Sequence, residues 1–251
     1  MKFNSYSFLV LFAVVAFSIS SCSDSDENPQ DQQSSNPLPD FGDADGVMAA
    51  IKAKSNLPDG TPSLPGMADI LIDVANANFY SSPSGGTLVN VGAVSLNEFD
   101  LQNVGGNAYI NNFTDITLEI NSGQTNKWSV TGDNGFAGFT HTTTKPMPGV
   151  VRFQTSVPEE FTLSAGVELS VQQLPSGVDN LLWVVSDGSK VITKEARATS
   201  VTFSASELNE LSASGTALVQ VAAYNSESQT FGGKKIYFIN ETVDSKFVTL
   251  N

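Results

Sequence analysis

The feature that most constrains this 251-residue chain is a period of two. Apolar and polar residues alternate in short runs, and Gly, Asn, Ser or Pro soon interrupts each run. Alternation puts one set of side chains on one face of an extended strand, whereas a helix needs a repeat near 3.6. No heptads or long helical periods occur. In "GVMAAIKAK" Val47, Ala49, Ile51 and Ala53 share a face; in "DILIDVANANFY" Ile70, Ile72 and Val74 oppose Asp69, Leu71 and Asp73. Further strands are predicted in "TLVNVGAVSL", "NAYIN", "DITLEIN", "KWSV" and "GFTHTTT". Abundant Thr, Val and Ser with little Lys, Arg or Glu agree with an all-β fold.

Pro146 and Pro148 in "KPMPGV" oppose both helix and sheet interior, which predicts a boundary at about 148. The expected units are a β-sandwich-like domain over 46–148 and a second over 149–251. In the second, "NLLWVVSDGSKVITK" predicts a hairpin turning at Asp187-Gly188 as a type I′ turn. Ser204 and Glu207 have capping-box spacing for a short helix, with Leu208 and Leu211 facing inward. "TALVQVAAYN", "KKIYFIN" and "SKFVTLN" read as three closing strands. In length and strand spacing this half resembles an immunoglobulin-like or fibronectin type III sandwich. It lacks a Cys pair, and Tyr224 stands at the end of its predicted strand, where a tyrosine corner would need it at the start.

The N-terminus has a separate logic. Lys2 precedes the apolar run Phe8 to Phe17, the pattern of a secretory signal peptide over 1–21. The run is shorter than the ~20 apolar residues of a membrane span. Ile19-Ser20-Ser21-Cys22 resembles a bacterial lipobox, with Ser21 where Gly or Ala is commoner. The resemblance implies diacylglycerol on the Cys22 thiol, cleavage before it and acylation of the new amino group. Two or more acyl chains give stable anchoring where one gives only marginal binding. Acids then follow at Asp24, Asp26, Glu27, Asp31, Asp40, Asp43 and Asp45, with few apolar residues, so 22–45 reads as a disordered acidic tether. Its start resembles the acidic export signal of Bacteroidota-type surface lipoproteins, which implies an outer-membrane anchor with the body at the cell surface; the alternative is a periplasm-facing body.

The chain carries 26 acidic against 12 basic residues and a net charge of −14. Such a body is repelled by phosphates, which argues against a nucleic-acid partner and leaves membrane attachment to the lipid. With Cys22 lipidated, no intramolecular disulfide can form.

Candidate catalytic groups are sparse. His141 is the sole histidine, so any Ser-His-Asp or Cys-His site would need it, and its place in "FTHTTT" reads as a strand residue sharing a face with Phe139 and Thr143. Glu159 and Glu160 are sequence neighbours and would face opposite ways in a strand. Asp69 and Asp73 share a face and read as marking a solvated strand face. "FGDADG" resembles part of a calcium loop, but Phe41 and Lys52 stand where oxygen ligands belong. Trp128 and Trp183 lie in alternating runs and are predicted core. Gly85-Gly86, Gly105-Gly106 and Gly232-Gly233 sit in turn-like settings, with no phosphate loop among them. The sequons at Asn112 and Asn240 are not ordinarily used in a bacterial lipoprotein.

No catalytic residue, metal or cofactor is expected. The lipoprotein resemblance implies a non-enzymatic binding module for a glycan or an envelope-protein partner such as an uptake complex. An adhesive or structural spacer is the second reading, and a carboxylate-based hydrolase the third. Replacing the lipid acceptor, Cys22→Ser, is expected to release the protein or leave its signal uncleaved, as read by membrane fractionation. Normal processing with unchanged membrane association would refute the anchor.

Overall fold

A continuous twisted sheet, built around one exceptionally long hairpin, organises the chain. The computed structural model describes residues 41–54, 70–83, 86–112, 115 and 117–251; the signal segment, Cys22 and the acids through Asp40 lie outside them. The hairpin pairs β14 (Ser214–Phe231) with β15 (Lys234–Leu250). Its turn is Gly232-Gly233, with φ of 56° and 85°. Two successive positive φ angles suit glycine and match the right-handed twist of the strands.

Beside β15 lie β1 (Gly46–Lys54), then β2 (Leu71–Phe79), β6 (Ala108–Ile110) and β5 (Gln102–Val104). Beside β14 lie β11 (Asn180–Ser186) and the edge strand β12 (Val191–Glu195). The pairing of β1 with β15 is parallel, as is that of the short β9 (Glu160–Phe161) further along β15; the other pairs in this sheet are antiparallel.

Two smaller sheets cover one face of the long sheet, giving the all-β sandwich architecture. A four-stranded sheet contains β3 (Val94–Leu96), β4 (Phe99–Asp100), β7 (Lys127–Val130) and β8 (Phe139–Thr142). It closes on Met48, Ala75, Phe79, Ile236 and Phe238 with its own Leu96, Trp128 and Val130. A two-stranded sheet of β10 (Val167–Ser170) and β13 (Ser200–Phe203) covers the other end. There Leu169 and Phe203 meet Trp183, Val219, Val221, Val248 and Leu250. Buried Leu208 and Leu211 join this second core from the helical turn α1 (Ala205–Leu208) and just beyond it. The expected capping box forms, with Ser204 N donating to Glu207 at 2.8 Å.

The front face of β15 shows why there are two cores. Ile236 and Phe238 belong to the first and Val248 and Leu250 to the second, while Asn240, Thr242 and Asp244 between them are buried and polar. The expected change at about 148 is where the covering layer crosses this band. Met147 packs in the first core and Val151 in the second. The sheet beneath has no break there, because β1 from the first half pairs onto β15 of the hairpin and β2 pairs onto β1.

Several local expectations need correction. "KKIYFIN" and "SKFVTLN" are one strand, because the polar residues between them pair across the sheet and do not turn. β14 likewise continues past Tyr224 to Phe231. Of "DITLEIN", residues 117–121 are irregular, although Leu118 and Ile120 are buried. In "TLVNVGAVSL" pairing is confined to a bridge at Leu88 and to β3. The β11–β12 loop spans four residues, since Ser186 pairs with Val191. Asp187 shapes it by accepting the Ser189 and Lys190 amides at 2.7 Å each, and Gly188 alone in it has positive φ. The tether does not extend to 45. Phe41 stacks on Tyr237 at 4.3 Å, and Asp43 and Asp45 bind the start of β15.

The back face of the long sheet carries Val47, Ala49, Ile51, Val74, Leu182, Val184, Ile239 and Val243. Glu241 sits among them, 6% exposed and cross-paired with Ile51 and Tyr224. Burial raises its carboxyl to about 7. A folded-state value above the unfolded one means the native state holds a proton that the unfolded state releases. Stability from this group is therefore highest below about pH 4.5 and falls as pH rises toward 7. The burden above pH 7 is on the order of 3 kcal/mol. Glu241→Gln is expected to stabilise the protein at pH 8 by about 2 kcal/mol in urea denaturation, with the gain vanishing near pH 4.5. A gain that does not depend on pH would contradict this account.

Candidate functional site

Among the described residues, the groups singled out in the sequence do not converge. His141 donates from Nε2 to Glu227 Oε1 at 2.8 Å and packs on Phe238 at 4.2 Å. Glu227 also accepts the Thr144 amide at 2.9 Å, the Thr144 hydroxyl at 2.5 Å and the Lys145 amide at 3.1 Å. Burial opposes its charge, but hydrogen bonds from Thr144, His141 and Lys145 outweigh that and hold the carboxyl below its usual range. A carboxylate with so many donors is a structural tie. It joins the edge of β8 to β14 beside stacked Phe139 and Phe231, 4.0 Å apart.

The other candidates are also committed. Asp73 accepts Lys52 Nζ at 2.5 Å and the Ile120 amide at 2.9 Å, while Asp69 lies outside the described residues. Glu159 is exposed near Lys246, and Glu160 belongs to β9. Asp43 accepts Lys235 Nζ at 2.6 Å and the Tyr237 hydroxyl at 2.7 Å. Asp45 accepts Lys234 Nζ at 2.9 Å and the Lys235 amide at 2.8 Å. No group of three or more His, Cys, Asp or Glu among the described residues is placed to hold a metal. Trp128 and Trp183 are fully buried, the core positions their alternation indicates. Asn240 of the second sequon is 2% exposed. Cys22 lies outside the described residues.

A different place offers a shallow polar surface depression. An open cleft of about 310 Å³ is lined by Asn97, Phe99, Thr117, Glu119, Asn121, Gln124 and Thr125. One wall is the β3–β4 turn, where Asn97 and Glu98 take φ of 50° and 69°. Positive φ is uncommon for non-glycine residues and is tolerated best by Asn. Asn97 is held there by three hydrogen bonds. Its Nδ2 donates to Glu119 O at 3.1 Å and Asn126 Oδ1 at 2.9 Å, and its Oδ1 accepts the Lys127 amide at 2.9 Å.

The facing wall is the segment 117–125. Leu118 and Ile120 point into the core, so Thr117, Glu119 and Asn121 point out. The Ile120 amide on Asp73 ties this segment to β2, and the Gly123–Met147 and Met147–Gln124 backbone bonds, 2.8 and 2.7 Å, fix its end. Amides, two hydroxyls and one carboxylate thus face solvent from a rigid frame beside the ring of Phe99. Such a set both donates and accepts, which suits a polyhydroxyl ligand better than an anion. Sequence reasoning missed the cleft because its residues are individually ordinary polar surface residues, brought together by the turn.

No helix among the described residues is long and apolar enough to cross a membrane. No protein-family model matches the chain, and no curated protein matches it. Among solved structures it is similar to the crystal structure of the N-terminal four Ig domains of Dscam1 isoform 8.4. Identity is 11% and the TM-score 0.25, over 85% of this chain and 46% of that one. A likeness at that score bears on neither fold nor function, and the chain spans less than half the length of that structure.

Proposed function

We propose that this is a lipid-anchored envelope protein, held at the outer membrane through Cys22 with its body at the cell surface, that binds a glycan without catalysis. The observation that carries the reading is the rigid polar cleft around Glu119 and Gln124, open to solvent beside Phe99. An envelope-protein partner in an uptake complex is the nearest variant of the same reading. The spacer reading draws on the continuous sheet, which ties both halves into one body.

Hydrogen bonds between a sugar hydroxyl and these side chains contribute roughly 0.5–3 kcal/mol each, the carboxylate most. Screening the purified protein against neutral polysaccharides by calorimetry is expected to find a binder. Glu119→Ala and Gln124→Ala are each expected to weaken it by about 5–30-fold without lowering the melting temperature. Binding that survives both substitutions would remove the cleft from the reading. Protease added to intact cells is expected to remove the protein, and digestion only after lysis would place the body on the periplasmic side.

A further inference from the structure

We infer that the body is a force-bearing module, with the parallel pairing of β1 and β15 as its mechanical clamp. The described chain enters at Phe41 and reaches β1 beside the hairpin tip. Asp43 and Asp45 hold Lys234, Lys235 and Tyr237 there, and Gly46 pairs with Ile236. From that point β1 and β15 run side by side in one direction, in unbroken register from Gly46↔Ile236 to Ala53↔Val243. β15 then continues from Val243 to Leu250, roughly 23 Å further along the strand direction.

A pull toward the N-terminal side drags β1 one way, and a load near Leu250 drags β15 the opposite way. The inter-strand hydrogen bonds lie across both directions, so they are loaded in shear and must fail together. β2 grips the other side of β1 over its whole length, from Gly46↔Phe79 to Lys54↔Leu71. β14 grips β15 in the same manner, by antiparallel pairing from Phe231↔Lys234 to Ser214↔Leu250. Neither β1 nor β15 is an edge strand, and each is held by a ladder on both sides. A load between β1 and the tip of β14 behaves differently. Both points then lie at one end of the sheet, and pairs open one at a time.

This goes beyond binding, and it requires that load reach the chain both on the N-terminal side of β1 and near Leu250. The test uses the full chain purified without lipid, because Cys22 is its sole cysteine and takes one handle. The second handle goes on Asn251→Cys for shear or on Thr230→Cys for peeling; both positions are exposed. In optical-trap pulling at one loading rate, the Asn251→Cys chain is expected to rupture at severalfold higher force, with no earlier step releasing β1. The Thr230→Cys chain is expected to open gradually at low force. Matching melting temperatures show that neither handle perturbs the fold. Equal rupture forces in the two geometries, or early low-force release of β1 in the first, would overturn the inference. Loss of ligand binding would leave it standing.

Discussion

The buried polar band on β15 is the constraint on which the rest of the structure depends. Thr242 Oγ1 donates to Gly149 O at 2.9 Å and accepts the Val151 amide at 3.2 Å; Asp244 accepts the Phe153 amide at 2.8 Å. Asn240 donates to Lys145 O and Thr143 Oγ1, and Asn126 donates to Asn240 Oδ1 at 2.8 Å. A chain crossing the face of a sheet has backbone amides and carbonyls that no ladder pairs, and leaving them buried without partners costs about 1–3 kcal/mol each. The band supplies those partners where the connection passes. An apolar residue at 240, 242 or 244 would merge the two cores and strand the crossing segment.

Asn225 repeats this role on the neighbouring strand. It donates to Pro146 O at 2.7 Å and Gly177 O at 2.6 Å and accepts the Asp179 amide at 2.8 Å. Together with Glu227, it fastens the Pro-rich connection to β14. The four-stranded sheet is closed at its other side by the chain itself. At Leu101 the backbone leaves β4 and enters β5, passing from one sheet to the other, and the Leu101 amide still reaches Val94 O. One side of this sandwich is therefore sealed by covalent continuity and the other by side chains from Glu227, His141 and the phenylalanines.

Much of this was legible in the alternation. Strands such as β1, β2, β7 and β11 emerge from it, as do the buried tryptophans, and the capping box emerges from the spacing of Ser204 and Glu207. The polar band was not legible, since "NETVDS" has the composition of a loop and its meaning depends on a segment some ninety positions earlier in the chain. Residues 117–121 failed in the opposite sense, because alternation there buries Leu118 and Ile120 without a ladder partner. The cleft was illegible because Glu119, Gln124 and Phe99 meet through the unusual backbone at Asn97. The acids at 43 and 45 read as tether because their lysine partners are nearly two hundred residues away.

The pairing of the first described strand with the last also has a kinetic side. Until β15 exists, β1 has no parallel neighbour and β14 no hairpin mate, so neither core can close on its floor. Folding dominated by such distant contacts is slow, because the loop must be closed before the contacts reward it. A nascent chain of this topology stays open until β15 has been synthesised, so neither core can be completed by the strands before it.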